Sequence, residues 1–212
     1  MPPTDALASF ALASLVIIVV PGPSVLFVVG RSLAHGRRAG ILSVTGNALG
    51  GLPVVVAVAL GLGALVAGSV VAFAVVKVLG AAYLVYLGVR AFRAGGDSHD
   101  LSDGAAAPVS SVWRTLGEGF AVGVSNPKTI VFFVAVLPQF VDVAAGAVAA
   151  QMLVLGVTFL LIALVCDSGW AVLAGTARGW FARTGRLVAM RRTGGAMLVG
   201  LGATLLLTGN RH

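Results

Sequence analysis

Six long apolar runs dominate this chain and constrain its fold more than any other feature. A helix that crosses the hydrocarbon core of a bilayer needs about 20 mostly apolar residues. The runs fall at residues 7–29, 41–66, 70–91, 116–140, 148–173 and 194–207 of the 212-residue chain. Because little sequence is left for a soluble domain, the pattern predicts an all-α membrane protein. It has one transmembrane domain, residues 1–212, with six transmembrane helices.

Composition supports this prediction, and the placement of charge gives an orientation. Hydrophobic residues make up 58% of the chain and charged residues 10%, whereas a soluble domain is about 45–50% apolar and about 25% charged. If the spans alternate in direction, eleven basic residues share one face, and the opposite loops near 67–69 and 141–147 contain no Lys or Arg. The eleven are Arg31, Arg37, Arg38, Arg90, Arg93, Arg114, Arg178, Arg183, Arg186, Arg191 and Arg192.

This asymmetry decides how the net charge of +7 is interpreted. The positive-inside rule predicts that the basic loops are cytoplasmic and that both termini lie outside. Basic residues that flank spans are topology signals beside anionic lipid. We therefore expect the lipid bilayer, and no nucleic acid, as the surface that these residues meet.

The two halves of the sequence resemble each other. Residues 80–88 match residues 194–202 at an offset of 114, with six identities, and Pro23 has a counterpart in Pro127. A polar linker at about 94–113 separates repeat 1, at about 4–93, from repeat 2, at about 114–212. Two tandem three-helix units enter the membrane with opposite sense, which predicts an inverted repeat of the kind found in transporters. Chance similarity in a chain rich in Gly, Ala, Leu and Val is the alternative.

Two segments interrupt the helical pattern at corresponding places in the halves. Pro21, Gly22 and Pro23 break the first span, and Asn126 and Pro127 break the fourth. Proline lacks an amide proton and clashes with the preceding turn, so carbonyls near Val19 and Val20 lose their helical partners. Broken spans at matching positions indicate a transporter binding site. A kink that only fits helices together is the alternative.

Lys128 and Asp167 are the two charges placed deep in spans. A charge near the bilayer centre costs at least about 2.5–3.5 kcal/mol, so each should face a cavity or a partner. The simplest functional interpretation is that Lys128 attracts a carboxylate while Asp167 binds an ammonium group or a proton. A structural ion pair is the alternative. Asn47 adds an uncharged donor and acceptor, and the small-xxx-small pattern of Gly46 and Gly50 also fits plain helix packing.

These segments resemble one known family. Residues 21–23 are similar to its proline-glycine-proline motif, residues 125–128 with the run to Val141 are similar to its Asn-Pro-Lys signature, and residues 80–88 are similar to its third span. The family is the LysE/RhtB amino-acid exporters, and the likeness covers nearly the whole chain. It implies a bacterial inner-membrane exporter of amino acids or close derivatives, driven by the proton gradient. Alternating access at the broken helices and a homodimer are further expectations.

Substrate charge follows from one departure from the family pattern. Some members have an acidic residue in the second span where this chain has Asn47, which favours a neutral amino acid or a homoserine-like derivative. The substrate-binding set is then Pro21, Gly22, Pro23, Asn47, Asn126, Pro127, Lys128 and Asp167.

Two other functions are alternatives to export. A membrane redox or metal-transport protein needs paired Cys or clustered His, and this chain has one Cys and three scattered His. A membrane scaffold leaves the deep charges unexplained. No catalytic residues, metal ligands or cofactors are expected, and the protein is not expected to be an enzyme.

Overall fold

The computed structural model describes residues 1–68 and 111–177 continuously, with isolated positions between 75 and 93 and between 185 and 203. Across the two continuous ranges the chain forms α-helices and one short 3₁₀ helix, with no strand. The elements are α1 (Thr4–Val19), α2 (Pro23–His35), α3 (Arg37–Gly68), α4 (Val112–Ser125), α5 (Pro127–Ala135), the 3₁₀ helix Leu137–Phe140 and α6 (Val148–Thr176).

Four of the six predicted spans have counterparts in these elements. The segment Arg37–Gly61 of α3 and the whole of α6 are each long and apolar enough to cross a membrane. The pair α1 and α2, bent by 52°, and the pair α4 with Pro127–Phe140, bent by 42°, each pass the same test as one broken span. The predicted spans 70–91 and 194–207 lie outside the continuously described residues, as does most of the linker.

Both predicted breaks are present, and each has a local cause. The break after α1 contains Pro21, and α2 restarts with Pro23 as its first residue behind an extended Gly22. At the second break, the Asn126 side chain accepts a hydrogen bond from the backbone N–H of Lys128, and Pro127 begins α5. Proline is favoured at a first helical position because its missing N–H has no helical partner there.

Several helices extend beyond the ends of the predicted spans. Helix α2 continues to His35 beyond the predicted end at 29, and α3 begins at Arg37 rather than at 41. Helix α4 begins at Val112, inside the predicted linker, where the Ser111 hydroxyl caps it by accepting from the Arg114 N–H at 3.3 Å. Hydropathy marks the hydrocarbon region, whereas a helix continues through the wetter interface wherever its backbone hydrogen bonds can form.

Helices α3 and α4 join the two halves through four glycines. A Cβ added at Gly50 would collide with the carbonyl oxygen of Phe120, and one added at Gly123 would collide with the carbonyl oxygen of Asn47. The full set of glycines in this contact is Gly46 and Gly50 on α3 with Gly119 and Gly123 on α4. Small residues let two backbones approach this closely in a membrane. The packing role predicted for Gly46 and Gly50 is confirmed.

Aromatic rings pack α1, α5 and α6 together beyond the second break. Phe10, Phe132 and Phe133 are fully buried. The Phe159 ring lies 5.1 Å from Phe132 and 4.9 Å from Phe133, measured between ring centroids. Offset and edge-on pairs at this separation add about 0.5–1.5 kcal/mol each to the burial of the rings. This cluster fixes α5 relative to α6, which positions the residues at the break.

Gln151, a fully buried residue of α6, holds the loop between α5 and α6. Its Nε2 donates to the carbonyls of Asp142 at 2.7 Å and Gly146 at 2.8 Å, and its Oε1 accepts from the Asp142 N–H at 3.0 Å. The sequence did not indicate this role, because nothing separates Gln151 from an ordinary polar residue near a span end.

We expect Gln151→Ala to lower the free energy of unfolding by about 1–3 kcal/mol, because buried backbone groups of the loop lose their partners. Thermal unfolding in detergent measures the effect. The control is Gln139→Ala, since Gln139 bonds within its own helical segment, to Ala135. Equal melting temperatures for the two variants would contradict the assignment.

Candidate functional site

A small cavity lies between the two broken helix pairs and is called the central cavity here. It is lined by Ile18, Ser24, Asn47, Ala48, Gly51, Gly123, Lys128, Thr129, Phe159, Leu160, Ala163 and Asp167. Its volume is about 20 Å³, which is room for about one water molecule. The described lining is therefore too tight for an amino acid, which enters only after the lining moves.

The depth of the central cavity follows from the positions of its polar residues along their helices. Asn47 lies ten positions after the start of α3, and Asp167 lies nine positions before the end of α6. At 1.5 Å per residue, both are about 14–15 Å from the basic ends of their helices. Both residues therefore lie well inside their helices, away from the ends that continue into the interface.

Lys128 crosses from α5 to the broken end of α1. Its Nζ donates to the carbonyl oxygens of Ile17 at 3.1 Å and Val20 at 2.9 Å, and the residue is only 4% exposed. In an unbroken helix the Ile17 carbonyl would bond to the N–H of residue 21, but Pro21 has none. Lys128 supplies that missing donor. An ammonium group has three donors, so one N–H of Lys128 is not used by these two bonds.

Gly22 makes room for the Lys128 side chain. A Cβ at this position would lie 3.0 Å from the Lys128 Nζ and 3.1 Å from its Cε. The backbone of Gly22 is extended, with a φ of −115°, so close approach rather than backbone conformation explains the glycine. The proline-glycine-proline segment therefore frees the carbonyls and also clears the path of the cation that binds them.

Asn126 connects the two breaks directly. Its Nδ2 donates to the Ser24 Oγ at 3.1 Å, while its Oδ1 accepts from the Lys128 N–H at 3.2 Å. Ser24 is the second residue of α2 and Lys128 the second residue of α5. The two restarting helices thus meet through one buried amide, which binds one half to the other at the cavity wall.

Two acceptor oxygens in the central cavity have no donor in the part of the chain that the structure describes. The Oδ1 atoms of Asn47 and Asp167 are buried without a hydrogen-bond partner, and Asp167 is only 3% exposed. An unpaired buried acceptor costs about 1–3 kcal/mol, and a charged one costs more. A cationic or hydroxyl donor placed in the cavity would remove this cost, so the two oxygens form a site that favours a donor.

Lys128 and Asp167 share the cavity without touching. The structure describes both side chains and records no ion pair within 4 Å between them, since the Lys128 Nζ is directed to Ile17 and Val20. The alternative of a direct structural ion pair is therefore not observed in this conformation. The cavity is instead polarised, with a cation on one wall and a carboxylate on another.

Arg31 and Glu118 form a second link between the halves, on the basic side of the cavity. The Arg31 guanidinium pairs with the Glu118 carboxylate and lies 5.4 Å from the Phe27 ring centroid. Glu118 also accepts from the Arg114 Nε at 3.0 Å. The sequence indicates only a topological role for Arg31, because pairing across 87 positions leaves no local pattern.

Four of the residues predicted to bind substrate meet at the breaks or in the cavity through side chains: Asn47, Asn126, Lys128 and Asp167. Pro21, Gly22, Pro23 and Pro127 contribute through the backbone they shape. Ser24 and Thr129, which also line the cavity, were not predicted. Each directly follows a residue of the predicted motifs, which is the signal that could have found them.

Comparison with known proteins identifies the family of the chain. The chain matches the family model described as LysE type translocator over residues 15–209. It is 34% identical over 206 residues to a homoserine/homoserine lactone efflux protein of Salmonella typhimurium, covering 96% of each chain. It is 31% identical over 169 residues to a leucine efflux protein of Klebsiella pneumoniae, covering 79% of this chain and 78% of the other.

A third relative, an uncharacterized membrane protein of Vibrio cholerae, is 32% identical over 203 residues, covering 93% of this chain and 94% of the other. No solved structure matches the chain significantly. The family match includes both breaks, the central cavity and the charges that line it. The chain belongs to the LysE type translocator family.

Proposed function

We propose that this protein exports a neutral amino acid or a homoserine-like derivative across the bacterial inner membrane, by alternating access at the two breaks. The observation that carries the proposal is the small, polarised cavity between the halves. It has the Lys128 ammonium on one wall and Asp167, whose Oδ1 has no donor among the described residues, on another. A zwitterion presents charges of both signs, so it matches both walls at once.

The lining of the cavity supports a substrate without additional charge. Among the described lining residues, Asp167 is the one carboxylate and Lys128 the one ammonium group, and the others are neutral. A lysine-like substrate would bring a second cation with no carboxylate to meet it, which is costly near the bilayer centre. The relatives named for homoserine, homoserine lactone and leucine efflux are consistent with this choice.

The transport cycle belongs to the same proposal. Each described half begins with a broken helix pair and continues into a long helix, as two three-helix units of opposite sense would do. Six spans, residues 4–93 and 114–212 as repeats, cytoplasmic basic loops and outer termini complete the proposed arrangement. Asp167 binds the substrate ammonium and exchanges a proton when the cavity changes face, so the proton gradient drives export.

A reconstituted transport assay tests the substrate class. Proteoliposomes loaded with labelled homoserine, leucine or lysine should release the neutral compounds at a rate that depends on an imposed pH gradient, and should retain lysine. Liposomes without protein give the leak rate. Release of lysine alone, or of none of the three above the leak rate, would overturn the proposed function.

We expect Asp167→Asn to abolish gradient-driven transport while leaving substrate exchange at equal pH on both sides. The amide keeps an acceptor oxygen for the substrate but cannot carry a proton. Uptake after a pH jump and counterflow of labelled substrate are measured on the same preparation.

Asp142→Asn is the matched control, because the Asp142 carboxylate accepts from loop amides of Ala144 and Ala145 and does not line the cavity. It should transport like the wild type. Full gradient-driven transport by Asp167→Asn would remove Asp167 from the proton pathway without affecting the proposed substrate class.

A further inference from the structure

We propose that the Ser24 hydroxyl is a specificity-determining ligand of the substrate carboxylate, held in its binding orientation by Asn126. The inference rests on the proposed function and names a recognition element that neither the sequence motifs nor the relatives assign. It predicts which chemical group of the substrate this part of the cavity recognises.

Ser24 is placed for this role by burial and position. It is 4% exposed and lines the central cavity together with Lys128. It is also the second residue of α2, a helix that restarts behind Gly22 without a side-chain cap. The first amides of a helix have no helical acceptors, and the positive end of the helix dipole favours an anion there.

Asn126 determines how the hydroxyl is used. Its Nδ2 occupies one acceptor position of the Ser24 Oγ at 3.1 Å. An amide nitrogen can only donate, whereas a hydroxyl carries one hydrogen of its own and two acceptor positions. Among the described residues there is no hydrogen bond in which Ser24 donates, so its hydrogen remains available to an acceptor in the cavity. Asn126 is thus a positioning residue for Ser24.

The surrounding charges favour a carboxylate as that acceptor. The unused N–H of Lys128 and the amino end of α2 are both positive, and they lie on the wall that carries Ser24. The Oδ1 atoms of Asn47 and Asp167 instead favour a hydrogen-bond donor, such as the ammonium group of the substrate. A zwitterion therefore has one preferred orientation, with its carboxylate at Ser24 and its ammonium at Asp167.

Ser24→Ala tests the inference through the choice of substrate. The acid that the wild type transports, homoserine or leucine, is compared with its carboxylate-free counterpart, homoserine lactone or leucinamide. We expect the variant to weaken binding of the acid about 10-fold, the size of one hydrogen bond to a charged group. Binding of the counterpart should change less than about 2-fold. Substrate-dependent thermal stabilisation and half-saturation of counterflow are measured.

Two further variants separate recognition from folding. Ser32→Ala removes another buried hydroxyl of α2, one that makes no hydrogen bond and lies outside the cavity, and it should bind like the wild type. Ser24→Thr keeps a hydroxyl and should recover most of the affinity for the acid. If Ser24→Ala weakened binding of the acid and of its counterpart equally, or changed neither, the role proposed for Ser24 would be overturned and the proposed function would stand. A wild-type protein that binds none of these compounds would overturn the proposed function and this inference together.

Discussion

Replacing Lys128 with methionine should lower transport at least about 30-fold and also destabilise the fold. The side chain is buried and donates to the Ile17 and Val20 carbonyls. A hydrogen bond that involves a charged group contributes about 1.5–3 kcal/mol, Lys128 makes two of them, and each 1.4 kcal/mol is a factor of ten. Methionine keeps most of the volume, so the effect reports the lost ammonium group rather than a cavity. Counterflow and thermal unfolding are the measurements.

A control and a double variant make this result specific. Arg114→Ala removes a basic group whose side chain is 69% exposed, and should change both measurements little, since exposed ion pairs contribute about 0–1 kcal/mol. In a double-mutant cycle, Lys128→Met with Asp167→Asn should show a coupling energy above about 0.5 kcal/mol, as expected for groups in one site. Wild-type transport by Lys128→Met, or strict additivity in the cycle, would contradict a shared site.

Gly50→Ala should cause the second large effect, a loss of folded protein. The added methyl group would meet backbone atoms of Phe120 and Val124 on α4, which cannot move as a side chain end can. Helices α3 and α4 would have to separate, at a cost typical of overpacking, about 1–3 kcal/mol or more. The yield of monodisperse protein and the melting temperature in detergent measure the loss.

The same helices supply matched controls for the glycine substitution. A Cβ at Gly61 on α3 or at Gly117 on α4 would meet no atom within 4 Å. Gly61→Ala and Gly117→Ala should therefore be as stable as the wild type or slightly more so, because alanine favours the helix over glycine by up to about 1 kcal/mol. If Gly50→Ala melted at the same temperature as these controls, the α3–α4 contact would not depend on small residues.

The breaks were predictable because their causes are local. A proline removes a hydrogen bond wherever the rest of the chain lies, and Asn126 before Pro127 is a capping residue before a favoured first helical residue. A lone proline gave less information. Pro53 stays inside α3, which continues through it to Gly68.

The partners across the cavity were not predictable, because the pairs are far apart in sequence. Asn126 donates to Ser24 across 102 positions, and Lys128 donates to Val20 across 108. Lys128 and Asp167 were each predicted to need a cavity or a partner. Whether they pair directly or lie on separate walls depends on how α5 and α6 pack. Because they lie on separate walls, the Lys128 ammonium is able to cap the broken end of α1.

The sequence by itself determined the membrane class, the family resemblance, the two broken helices and the residues with charge in the apolar interior. Each follows from composition or from neighbours in the chain, because burial in lipid penalises polar groups and every proline lacks the N–H that a helix interior uses, regardless of tertiary context. Only the tertiary structure decided that Ser24 joins the site, that Asn126 links the halves, and that the Asn47 and Asp167 oxygens stay without donors. Hydrogen bonds between distant segments are set by helix packing, and in this protein glycines bring α3 and α4 close enough to form the cavity.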